Sequence, residues 1–214
     1  MRWRVTLEGE QADLDNLVRW FPTGPVCVVR DDDGTHLMGP DLDAETTAGD
    51  AYALAEQWLR QINGAATALR GGDCWPVRLA SRISDVDRPQ DTYVMAGAIH
   101  AVARVHAVVA GETRDANGNF VPPPPEPGPV ILGRSITDPA LAEALRWMGA
   151  PDGPNWAHLW KAFEVLRKAA GGSAADLSTR CGVTVDEIKS LRSSANDPTI
   201  SGDDARHAVQ AEII

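Results

Sequence analysis

The chain has 214 residues, 43% of them apolar and 23% charged, proportions that fit a folded globular protein and exclude collagen-like, coiled-coil and wholly disordered chains. Its length suits one large domain or two small ones. Thirty acidic against 20 basic residues give a formal net charge of -10, so the average surface repels nucleic-acid phosphate and anionic lipid, and any polyanion site must be local.

The charge is uneven. Residues 1–129 carry 11 bases and 19 acids, whereas residues 130–214 carry 9 bases and 11 acids; nucleic-acid contact, if made, belongs to the later part. Cys27, Cys74 and Cys181 are odd in number, far apart and free of any C-x-x-C pair, which points to a reducing compartment and not to zinc or disulfide chemistry. No apolar leader follows Met1, and no run is long enough to span a bilayer. The expectation is a cytoplasmic protein without membrane contact. Arginine outnumbers lysine 17 to 3 beside abundant alanine and glycine, the composition of a GC-rich bacterial genome.

In chain order, Trp3 to Leu7 alternate as a strand. Asp13 is placed to cap a helix carrying Leu14, Leu17, Val18 and Phe21 at helical spacing, ended by Pro22 and Gly24. Val26 to Val29 and His36 to Met38 flank Asp31-Asp32-Asp33-Gly34, a hairpin signal. Between Ala44 and Arg70, Ala51, Leu54, Ala55, Trp58, Leu59, Ile62 and Leu69 mark the clearest amphipathic helix, stopped by Gly71 and Gly72. Val77 to Ile83 reads as a strand. Thr92 to Ala110 alternates, with a bend or hairpin expected near Gly97 and helix as the competing reading.

Six prolines in the eight positions Pro122 to Pro129 force an extended stretch, so residues 111–129 read as an exposed excursion closing the first portion. Beyond it the chain is helical. Asp138-Pro139 caps a helix of Leu141, Leu145 and Met148; Asn155 caps one bearing Trp156, Leu159, Trp160, Phe163 and Leu166; Ser173 opens a third. Thr184 to Glu187 is a capping box opening a fourth, with Val185, Ile188 and Leu191 facing inward, and Ser201 starts a last short one with Ala205, Ala208 and Val209. The fold class expected is α+β: a mixed N-terminal sheet with two helices over 1–129 and an all-helical portion over 130–214.

Nucleophile elbows, phosphate loops, dinucleotide loops and zinc-protease motifs are all missing from the chain, so neither an enzyme nor a cofactor is indicated, and only catalysis by residues scattered along the chain is left open. His100 and His106 are six residues apart, too far along a strand to share a metal. Asp31 to Asp33 read as a solvated turn because the Glu of a calcium loop is missing, and Cys74 reads as an inert thiol. No metal site is expected.

Leu177, Gly182, Val183, Ile188 and Leu191 resemble, over residues 174–194, the spacing of helix-turn-helix DNA readers. That resemblance implies DNA contacts through Lys189 and Arg192. Asp186 and Glu187, at the start of the would-be recognition helix, oppose them by charge, and an ordinary packed helix pair explains the same spacing. The closing element Ala195-Asn196-x-Pro198-x-x-Ser201-Gly202-x-x-Ala205-Arg206-His207, with Trp160 to Gly172 before it, resembles the C-terminal signature of a loosely defined group of functionally uncharacterised bacterial proteins. It implies that Glu164, Asn196, Arg206 and His207 meet in one charge-assisted network. Arg206 beside His207 also resembles in kind the Arg and His of HEPN-like ribonucleases, but adjacent helix positions point about 100° apart, so a structural histidine is favoured. Seven tryptophans against three Phe and two Tyr point to contact surfaces. Trp58 and Trp160 suit a core, whereas Trp3, Trp20, Trp75 and Trp147 are the candidates for exposure. The expectation is a non-enzymatic binding or regulatory protein acting through a protein partner or self-association, with Lys189, Arg192, Arg206, His207 and Trp147 as candidate binding residues; a helix-turn-helix regulator and a HEPN-like ribonuclease or other nucleic-acid-acting defence protein are the alternatives.

Overall fold

A computed structural model describes residues 2–70, 75–95, 127–151 and 155–202. The chain divides into two compact units, Met1–Leu59 with Val77–Gly133 and Arg60–Pro76 with Arg134–Ile214. The class is α+β, with a sheet in the N-terminal part and helices in the C-terminal part.

The first unit is built on five strands, β1 (Trp3–Glu8), β2 (Cys27–Asp31), β3 (Gly34–Met38), β4 (Arg78–Asp85) and β5 (Arg88–Val94), in the order β2-β3-β1-β4-β5. Every ladder is antiparallel, so no parallel pair of the expected mixed sheet occurs among the described residues. Alternation decides which face is buried. Val5 on the central strand is opposite Leu37 on one side and Ile83 on the other, and Val28 is opposite Leu37. All four are buried in one apolar row, and each aliphatic side chain so enclosed contributes roughly 1.5–3 kcal/mol relative to exposure.

Helices α1 (Gln11–Trp20), α2 (Pro40–Asp43) and α3 (Ala48–Arg70) follow β1 and β3. Asp13 does not cap α1. The N-cap is Glu10, which makes no side-chain capping bond, and Asp13 lies inside the first turn, buried beside Leu14 and Leu17, with neither carboxylate oxygen hydrogen-bonded. The expected strand over 92–110 is represented by the end of β5; the rest, with His100 and His106, lies outside the described residues, as does Cys74. Helix α4 (Gly128–Thr137) begins within the stretch read as an excursion, and Gly128 is buried against the Trp20 carbonyl and the Phe21 ring.

The second unit holds the later half of α3 with α5 (Pro139–Met148), α6 (Trp156–Ala170), α7 (Ala174–Cys181), α8 (Val185–Asn196) and α9 (Pro198–Ser201). Gln61 to Thr67 are all buried, so this half of α3 is enclosed on every side rather than along one stripe. Local capping sets the other boundaries. Asp138 accepts from the amides of Ala140 and Leu141, Asn155 from His158, Ser173 from Asp176 and Thr184 from Glu187. Ser201 closes α9, and the helix expected beyond it lies outside the described residues. Among the described residues no helix is long and apolar enough to cross a membrane.

Candidate functional site

Helices α7 and α8 are joined by Gly182-Val183-Thr184. The joint turns at Gly182, whose φ of 70° lies in the left-handed region that costs a side-chain-bearing residue about 1–2 kcal/mol. Leu177 and Ile188 are buried, Leu191 is half-buried, and the pair packs on α6. Val183 departs from helix-turn-helix packing, being 36% exposed, and Val185, expected inward, is 39% exposed because it is the first residue of α8, ahead of the turn that packs through Ile188.

Charges at this turn are largely satisfied within the chain. The Glu187 carboxylate reaches back to the Thr184 amide at 2.7 Å and hydroxyl at 2.8 Å, and those two bonds hold its pKa below the ordinary value. At the opposite, N-terminal end of α7, Asp176 does the same for Ser173, whose hydroxyl and then amide lower its pKa. Lys189 donates to Asp186 at 2.9 Å, so the ammonium expected to meet phosphate is engaged by the carboxylate expected to repel it. Arg192 is exposed one turn further on.

The remaining candidates are not gathered there. Trp147 on α5 is half-buried, stacked on His158 with ring centroids 5.8 Å apart, and the Lys161 ammonium lies 4.0 Å from its ring centre. This is an internal cation-π contact between α5 and α6. Arg206 and His207 lie outside the described residues, and with them half of the proposed network; Glu164 and Asn196 are half-buried. Trp3 is buried, contrary to expectation, with its indole donating to the Glu45 carbonyl at 2.9 Å. Trp20 is half-buried, Trp75 is 41% exposed, and Trp58 and Trp160 are buried as their helical stripes required.

A second cluster, absent from the sequence expectations, gathers Arg4, Asp31 and His36. Thr6 is opposite His36 and Val29 is opposite His36, which puts the imidazole on the sheet face away from Val5 and Leu37. His36 is buried; its Nε2 lies 3.1 Å from Asp31 Oδ1, and its Nδ1 is buried without a hydrogen bond. Arg4 Nη1 lies 3.2 Å from Asp31 Oδ2 and 3.4 Å from Asp33 Oδ2. Burial lowers the His36 pKa against the pull of Asp31, and Arg4 lowers it further. For Asp31 burial works upward, yet the Asp33 amide, His36 and Arg4 hold the carboxyl below its ordinary value. Parity alone could have flagged a polar face, since Arg4 and Thr6 alternate with Trp3, Val5 and Leu7. No group of three or more His, Cys, Asp or Glu among the described residues is placed to hold a metal ion.

Compared with known proteins, the chain matches no family model, no curated protein and no solved structure.

Proposed function

We propose that the chain is a non-enzymatic, cytoplasmic binding protein that docks a protein partner, or a second copy of itself, through the α7–α8 turn. One observation carries this reading: Val183 and Val185 are exposed where Asp186, Glu187 and Lys189 are engaged by neighbours in the chain. The core of a protein interface is apolar and poor in free charge, whereas phosphate recognition draws on unpaired Lys and Arg. Lys189 and Arg192 then serve as the rim of the contact and not as phosphate ligands. The test is a photo-reactive residue at position 183 in cells making the full chain, with position 15, exposed in the other unit, as control. A discrete protein adduct at 183, absent at 15 and lost on Val185→Glu, is expected. A nucleic-acid adduct, or the same adducts from both positions, overturns the reading.

A second reading, DNA binding, draws on the two capped helices and the left-handed Gly182 between them. Its cost is the Asp186–Lys189 pair, which must break before Lys189 can reach phosphate.

A further inference from the structure

We propose that Arg4, Asp31 and His36 form an acid-sensitive latch that holds the tip of the β2–β3 hairpin closed. Asp31 is its hub. Oδ1 accepts from the Asp33 amide at 2.9 Å and from His36 Nε2 at 3.1 Å, while Oδ2 faces the Arg4 guanidinium at 3.2 Å. A carboxylate only accepts, so Nε2 carries the imidazole proton and Nδ1 is a bare acceptor. That nitrogen is buried with nothing to bond.

Protonating His36 puts a second N–H where no acceptor among the described residues is within hydrogen-bond reach, and adds positive charge beside Arg4. Asp31 offsets only part of this, because it already neutralises Arg4. Among the described residues the charged groups acting on the ring are Asp31 from β2, Asp33 from the turn and Arg4 from β1; Cys27, on the same sheet face, has its thiol pKa raised by burial and by Asp43 and stays neutral throughout. An imidazolium is relieved by turning Nδ1 toward water, which requires Asp31 to let go of the ring and loosens residues 31–34. The sign follows. A base with a lowered pKa in the closed form binds its proton better in the open form, so closure is fully present above the ordinary histidine value of about 6.5 and is lost as pH falls below it.

Amide hydrogen exchange at pH 7.5 and 5.5, corrected for intrinsic rates, tests this on the whole chain. Protection of residues 31–35 is expected to fall at least about fivefold at pH 5.5 in the native protein and to hold in His36→Gln, which can still donate to Asp31 but gains no second proton. Equal native protection at the two pH values, or an equal loss in His36→Gln, overturns it. If that variant does not fold, the His36 Cε1 titration in the native chain decides. A low titration that moves together with the Gly34 amide supports the latch, and an ordinary one with a silent Gly34 amide contradicts it.

Discussion

Gly149, at the end of α5, lies against the Arg60 carbonyl of α3 so closely that a β-carbon would overlap it, and Gly64 is pressed in the same way onto the Leu145 carbonyl. Both obstacles are backbone, which cannot rotate aside. Gly64→Ala or Gly149→Ala should therefore cost about 3 kcal/mol, the upper part of the usual overpacking range, lowering Tm by about 6–12 °C. Gly133 on α4 has open space where its β-carbon would stand. Gly133→Ala should leave stability unchanged or raise it by up to about 1 kcal/mol. Thermal melts of the three variants check the contrast.

Asp13 is buried in α1 with both carboxylate oxygens unbonded. A buried polar group left without a partner costs about 1–3 kcal/mol, so Asp13→Ala, which removes both unbonded oxygens and favours the helix, should stabilise by about 1 kcal/mol or more. Urea unfolding should show a higher midpoint at unchanged slope. A lower midpoint would mean that the carboxylate makes a bond that its removal forfeits.

Acid sensitivity should extend to the helical unit. Thr184 lowers the Glu187 pKa through its amide and then its hydroxyl, Ser173 lowers that of Asp176, and Thr199 that of Asp197. A carboxylate with a lowered folded pKa contributes stability above its unfolded value, about 4, and loses it as pH falls through the folded one. Circular dichroism at 222 nm should thus be flat from pH 7 to about 5 and decline below about 4. Thr184→Ala, which removes a cap, should cost about 1 kcal/mol at pH 7.

Duplex DNA should not bind at physiological salt, given the Asp186–Lys189 pair and a net charge of -10. Gel mobility of genomic fragments should be unchanged by the protein and by Lys189→Glu with Arg192→Glu. A shift that salt weakens and the double variant abolishes would favour the helix-turn-helix reading.

Which parts were legible in the sequence follows from how local the deciding interaction is. Asp138, Asn155, Ser173 and Thr184 were readable as caps because each bonds an amide two or three residues away. Helix α4 was hidden by the prolines before it and by Gly133 within it. The burial of Trp3 is not legible locally, because it depends on pairing with β4 and on the Glu45 carbonyl, both remote in sequence. The Arg4, Asp31 and His36 cluster is likewise a product of strand order, since β3 runs beside both β1 and β2. At the α7–α8 turn the spacing was plain, but only the geometry pairs Lys189 with Asp186 and leaves Val183 facing outward.

Titrating the purified partner, once identified by the adduct at position 183, against the native chain and Val185→Glu tests the proposed interface most directly. Val185→Glu should weaken binding at least about tenfold while Tm stays within about 2 °C, because an exposed side chain away from the core carries little stability. Equal affinity for the two proteins would contradict a partner site at the α7–α8 turn.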